Sequence, residues 1–170
     1  MKKFSVFLVL MILSLSSCSE HKVSLMNKVD NIKPSSFSLY DIKGNLVDSR
    51  NFEGSYLLVN FWATWCKPCV NEIPSLNNLH KKLSKNSNFQ VVAINIGQNR
   101  AVVETFLNDI PKIDFMVLLD ENMDLTEWSV QAIPTTFLVD QKGNVIFRVE
   151  GEKQWDSPEF ISFIDSQIKN

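Results

Sequence analysis

Residues 56–96 place the tightest constraint on the fold. Tyr56-Leu57-Leu58-Val59-Asn60-Phe61-Trp62 is a near-continuous apolar run, the pattern of a strand buried on both faces. Cys69, Ile73, Leu76, Leu79 and Leu83 then recur at three- and four-residue spacing, which draws one apolar stripe along a helix. Phe89 to Ile96 is a second apolar run. Strand, helix and strand in immediate succession read as a β-α-β unit, so the chain builds an α/β sheet.

The remaining segments extend that sheet. Phe37 to Tyr40 and Leu46-Val47 flank the turn Lys43-Gly44-Asn45, and Thr135 to Val139 and Val145 to Val149 flank Lys142-Gly143-Asn144. Both read as hairpins. Between them lie an expected helix at Ala101–Asn108, a strand at Phe115–Leu119 and a short helix at Met123–Trp128. Phe160, Ile161, Ile164 and Ile168 stripe a closing helix. The expectation is one domain over residues 36–170, a mixed sheet with helices on both faces. Pro74 either kinks the first helix or divides it into two short ones. With 170 residues, 45% hydrophobic and 21% charged, the chain has enough apolar material for one ordinary core. A net charge of −2 gives no basic surplus for nucleic acid.

The first 17 residues stand apart from that domain. Met1-Lys2-Lys3 is a positive start, and Phe4 to Leu15 is an apolar run interrupted only by Ser5 and Ser14. The run is short for a membrane span, which takes about 20 residues, and has the length of a signal-peptide core. It ends in Leu15-Ser16-Ser17-Cys18, which resembles the lipobox of bacterial lipoproteins, where the cysteine is lipidated after cleavage. A plain secretory signal with an incidental cysteine and an uncleaved membrane anchor are the alternatives. Either way the domain is exported. Cleavage before Cys18 leaves 15 basic against 19 acidic residues. Residues 18–35, polar and mixed in charge, read as a flexible tether, with Val23, Leu25 and Met26 allowing a short helix.

Assigning Cys18 to lipid leaves one pair, Cys66 and Cys69, out of three cysteines. A disulfide across two intervening residues closes almost no loop and restrains the unfolded chain very little, so the pair has a chemical use. Cys66 falls where a strand ends and a helix begins, where unpaired N–H groups and the helix dipole favour a thiolate. Cys69 lies one turn on and more deeply buried. Cys66 is therefore the attacking residue and Cys69 the resolving one, while Pro68 suits a first turn that needs no N–H. A zinc site lacks its other half, since the histidines are His21, in the tether, and His80, eleven residues past Cys69. No metal or other cofactor is expected. The surroundings of a peroxide-reducing cysteine are also missing, with Val59 and Ala63 at the positions that would hold its proline and hydroxyl. Glu72, one turn past Cys69, is either an exposed helix carboxylate or a group that takes and returns the Cys69 proton.

Asn60-Phe61-Trp62-Ala63-Thr64-Trp65-Cys66-Lys67-Pro68-Cys69 resembles the active-site stretch of the thioredoxin superfamily. Glu72 with Pro74, Ala93-Ile94-Asn95-Ile96-Gly97 and Ile133-Pro134-Thr135-Thr136-Phe137-Leu138 are similar to the TlpA/ResA branch, which is related to DsbE. The resemblance implies a thioredoxin-like fold with an N-terminal hairpin and a central insertion within residues 97–128. It implies a cis proline at Pro134, substrate contacts at Trp65, Ile133 and Pro134, and a functional Glu72. Members are membrane-tethered reductants of disulfides in exported proteins, apocytochrome c among them, recharged by a transmembrane electron donor of the DsbD or CcdA type. Two departures stand out. Asn60 replaces the buried aspartate of cytosolic thioredoxins, and Thr135 stands where DsbE proteins usually carry an acidic residue.

Three functions remain open at this point. A disulfide reductase is the leading one. A thiol oxidase or isomerase is the second, because the Lys67 cation stabilises a reduced thiolate. A binding module without turnover is the third.

Overall fold

The computed structural model describes residues 25–29, 36–85 and 88–169. Eight strands form one sheet: β1 (Asn27–Lys28), β2 (Ser38–Asp41), β3 (Leu46–Asp48), β4 (Tyr56–Trp62), β5 (Phe89–Ile96), β6 (Met116–Asp120), β7 (Thr135–Val139) and β8 (Val145–Glu150). Their order is β1-β8-β7-β4-β5-β6-β2-β3. Among the described residues three α-helices accompany them, α1 (Lys67–Leu83), α2 (Arg100–Asp109) and α3 (Pro158–Ile168). β4 runs parallel to β5 and antiparallel to β7, with Asn60 opposite both Ala93 and Thr136. This is the expected thioredoxin-like α/β arrangement, and its N-terminal hairpin, β2–β3, joins the β6 edge.

The two Lys-Gly-Asn turns share one local solution. Gly44 and Gly143 take φ of +89° and +85°, open to glycine without strain. In each turn an aspartate carboxylate, Asp41 or Asp140, accepts the backbone N–H groups of the lysine and asparagine that follow.

One expectation about the layers is corrected. All three α-helices lie on the same face of the sheet. Leu58, Trp62, Val91, Ala93 and Val117 pack there against Ile73, Leu76 and Leu79 of α1, Val103 of α2, and Phe160 and Ile164 of α3. The reason is directional: β4, β5 and β6 step one way across the sheet, so crossovers of the same hand put α1 and α2 on one side. The opposite face, with Val59, Phe61, Ile94 and Phe137, is covered by Phe37, Phe52 and Trp128. Phe52 and Trp128 come from short 3₁₀ turns, Ser49–Phe52 and Thr126–Trp128.

Two further points concern Pro74 and the N-terminal segment. Pro74 sits inside one uninterrupted α1, so the helix is not divided. Within the segment expected as a tether, Met26 is 1% exposed in the core, and Asn27 and Lys28 pair with Arg148 and Phe147 of β8. A buried thioether and a two-residue ladder dock this stretch onto the domain. The expected signal peptide over residues 1–17 and the lipid-bearing Cys18 lie outside the described residues. No helix among the described residues is long and apolar enough to cross a membrane.

Candidate active site

At the end of β4 the chain turns through Ala63, Thr64 and Trp65, and Cys66 becomes the N-cap of α1 in an extended conformation. Cys66 and Cys69 are joined as a disulfide. The Cys66 sulfur accepts the Cys69 backbone N–H at 3.3 Å, and the Cys66 carbonyl accepts the Val70 N–H at 3.0 Å. Pro68 occupies the first turn, where it forfeits no hydrogen bond. An N-cap position collects the free N–H groups and the positive end of the helix dipole, so it supports negative charge on Cys66. Cys66 is 5% exposed and Cys69 1%, in the order expected for an attacking and a resolving sulfur. Trp65, beside them, is 71% exposed.

The other side of the disulfide is the segment leading into β7. The Ile133–Pro134 peptide bond is cis, as the family resemblance implied. The Ile133 carbonyl oxygen lies 3.8 Å from the Cys66 sulfur. Pro134 is buried, Ile133 half-buried, and the Pro134 carbonyl accepts the Gly151 N–H at 2.8 Å. The structure thus brings Trp65, Cys66, Cys69, Ile133 and Pro134 together in one place.

Glu72 is no surface carboxylate. It is 1% exposed and accepts three hydrogen bonds. Asn60 Nδ2 donates to Oε1 at 2.7 Å. The Lys153 backbone N–H and Trp155 Nε1 both donate to Oε2, at 3.0 and 3.1 Å. Burial penalises its charge and is the largest influence, raising its pKa from 4.5 to about 7, while the three donors and the Lys153 charge pull the other way. A carboxyl poised near neutrality is suited to taking and returning protons.

Several partners of this site were not singled out in the sequence. Lys153 and Trp155 lie in the segment between β8 and α3, where a single tryptophan in the polar stretch Gly151-Glu152-Lys153-Gln154-Trp155-Asp156 is the signal that could have found them. The Lys153 ammonium stiffens that segment by donating to the carbonyls of Glu150, Gly151 and Glu152. Ser75 Oγ accepts the Trp155 N–H at 3.2 Å. The loop before Cys66 is held by Gln98: its Oε1 accepts the Thr64 N–H and its Nε2 donates to Thr64 Oγ1, both at 2.8 Å. Asn95 Nδ2 in turn donates to Gln98 Oε1 at 3.1 Å. His80 has a structural task at the far end of α1, where Nδ1 accepts the Val91 N–H at 3.3 Å. Among the described residues no group of three metal-ligating side chains comes together.

Comparison with known proteins points the same way. The Redoxin family profile matches residues 28–162. A thiol-disulfide oxidoreductase ResA from Bacillus thuringiensis subsp. konkukian is 31% identical over 118 residues, covering 69% of this chain and 67% of its own length. The crystal structure of a putative thiol:disulfide interchange protein DsbE from Chlorobium tepidum superposes with a TM-score of 0.69 at 30% identity, over 85% of this chain and 96% of that one. StoA from Bacillus subtilis superposes with a TM-score of 0.61 at 28% identity, over 72% and 92%.

Proposed function

The chain belongs to the Redoxin family, as a ResA-like thiol–disulfide oxidoreductase with a Cys-x-x-Cys pair, and from that premise we propose that it reduces disulfides in exported proteins. The observation that carries this reading is the position of Cys66, capping α1 with its sulfur beside the Ile133 carbonyl while Cys69 lies buried one turn behind.

In the reduced enzyme the Cys66 thiolate attacks one sulfur of the substrate disulfide, whose other sulfur leaves as a thiolate. The product is a mixed disulfide between Cys66 and the substrate. Glu72 takes the Cys69 proton, and the Cys69 thiolate attacks the Cys66 sulfur, releasing the second substrate thiolate. Two electrons have passed from the enzyme dithiol to the substrate, and the Cys66–Cys69 disulfide remains. Trp65 and the Ile133–Pro134 segment receive the substrate chain. A membrane donor of the DsbD or CcdA type returns the enzyme to the dithiol by the same exchange in reverse.

The chain works outside the cytoplasm, held to the membrane by lipid on Cys18 after removal of residues 1–17. Apocytochrome c is the narrower substrate candidate, and Thr135, where DsbE proteins usually carry an acid, keeps the reading at disulfides of exported proteins in general. The oxidase or isomerase reading draws on the same N-cap and on Lys67, since both stabilise the thiolate. Equilibration of the Cys66–Cys69 couple with glutathione buffers separates the two. A potential more negative than about −200 mV supports the reductase, and one near −120 mV, that of a strong oxidant, overturns it.

A further inference from the structure

Asn60 is the one amide side chain in the largely apolar β4, and it is 2% exposed. Its amide nitrogen has two hydrogens, and both are used. One goes to Glu72 Oε1 at 2.7 Å and the other to Thr136 Oγ1 at 2.8 Å. While Glu72 is ionised, the reverse orientation would set the amide oxygen against the carboxylate, so in that form the charge sets the direction of the bond. Thr136, also 2% exposed, lies directly opposite Asn60 on β7 and two residues past Pro134.

Glu72 Oε2 already accepts two donors, Lys153 N–H and Trp155 Nε1, whereas Oε1 accepts only Asn60. Among the described residues the Asn60 amide is thus the hydrogen bond that holds Oε1, as the Lys153 segment holds Oε2. A second connection runs from Oε2 through the Lys153 segment to Gly151, whose N–H binds the Pro134 carbonyl. Both ends of Pro134–Thr136 are thus linked to one carboxylate.

We propose that Asn60 is the positioning residue of this redox centre: its amide ties the Glu72 carboxylate to Thr136, and so to the strand that follows Pro134. The proposal rests on the reading of Glu72 as the acceptor of the Cys69 proton. The titratable and charged groups that bear on the carboxylate are the Cys66–Cys69 pair, on its own helix, and the Lys153 ammonium. β4 and β7 present the neutral Asn60 and Thr136.

The test is to titrate Glu72 directly, by carboxyl-carbon NMR on the full-length disulfide form, in the wild type, Asn60→Leu and Thr136→Val, with Glu72→Gln identifying the resonance. Exchange rates of the reduced proteins with a peptide disulfide are followed over the same pH range. Removing the Asn60 donor withdraws a charged hydrogen bond from the ionised form, so the midpoint rises by about one pH unit. The corresponding limb of the rate profile moves with it. Thr136→Val, nearly isosteric, frees one anchor of the amide and raises the midpoint by less. Midpoints unchanged in both folded variants overturn the proposal. If Asn60→Leu does not fold, an unchanged midpoint in Thr136→Val overturns it alone. A wild type with no exchange at any pH would instead bring down the reductase reading, while the midpoint shifts still report the Asn60 tie.

Discussion

At Glu72 two influences oppose each other, and their balance sets the behaviour of the site. Three donors favour the ionised form, burial in the helix-side core disfavours it, and burial prevails, so the folded pKa of about 7 stands above the ordinary 4.5. The folded chain therefore holds a proton between those values that the unfolded chain has already released. Its contribution to stability is complete below about pH 4.5 and is lost as the pH rises through about 7. Calorimetric melting of the disulfide form against pH should show this decline in the wild type and none of it in Glu72→Gln. His80 has the opposite sign: burial lowers its pKa below 6.5, against the pull of Asp114, so its contribution is lost as the pH falls below that range. Subtracting the Glu72→Gln curve from the wild-type curve cancels the His80 slope, which both proteins share, and isolates the carboxylate. At this scale the sequence was informative about Cys66 and Cys69 and about the spacing of Glu72. It could not say that Glu72 is buried, because the residues that hold it come from β4 and from the segment between β8 and α3, distant in the sequence. Asn60 carried a signal that was read only as a departure from thioredoxin: a polar residue in an apolar strand needs a buried partner.

Among the elements, β4, α1 and β5 were legible because each follows a period, and the boundaries of α1 followed from its cap and its stripe. The two segments that shape the site follow none. Lys153 and Trp155 reach Glu72 across sequence separations of 81 and 83 residues, and Gln98 reaches Thr64 across 34. Such contacts are set by the register of β4 with β5 and β7, which no local pattern encodes. The Gln98 clamp carries its own prediction. It supplies both hydrogen bonds that hold Thr64, two residues before Cys66, and Gln98→Ala removes them together. The expected loss is about 2 kcal/mol of stability, read as a lower urea midpoint at unchanged slope. Reduction of a peptide disulfide should slow as the loop before Cys66 loosens.

For the whole molecule, the placement of α1, α2 and α3 on one face has a functional consequence. The sheet's helix-side core holds Cys66, Cys69, Trp155 and the α1 stripe in a single cluster, so the disulfide caps the main core rather than a peripheral loop. The expectation of helices on both faces failed because hydrophobic stripes tell which residues are buried, not which face of the sheet buries them. The direction in which successive strands are added decides that, and it is a property of topology. The cysteine arithmetic belongs to this scale too: among the described residues Cys66 and Cys69 are the two cysteines and form one disulfide, and under the lipidation proposed for Cys18 the redox state of the chain is the state of that one site. The most direct measurement on that claim is covalent trapping. Cys69→Ser, produced in cells that export the chain, should accumulate thiol-cleavable adducts joined to substrate proteins through Cys66, and Cys66→Ser should accumulate none. Adducts held through Cys69 in Cys66→Ser at equal abundance, or none in Cys69→Ser, would contradict the assignment of attack to Cys66.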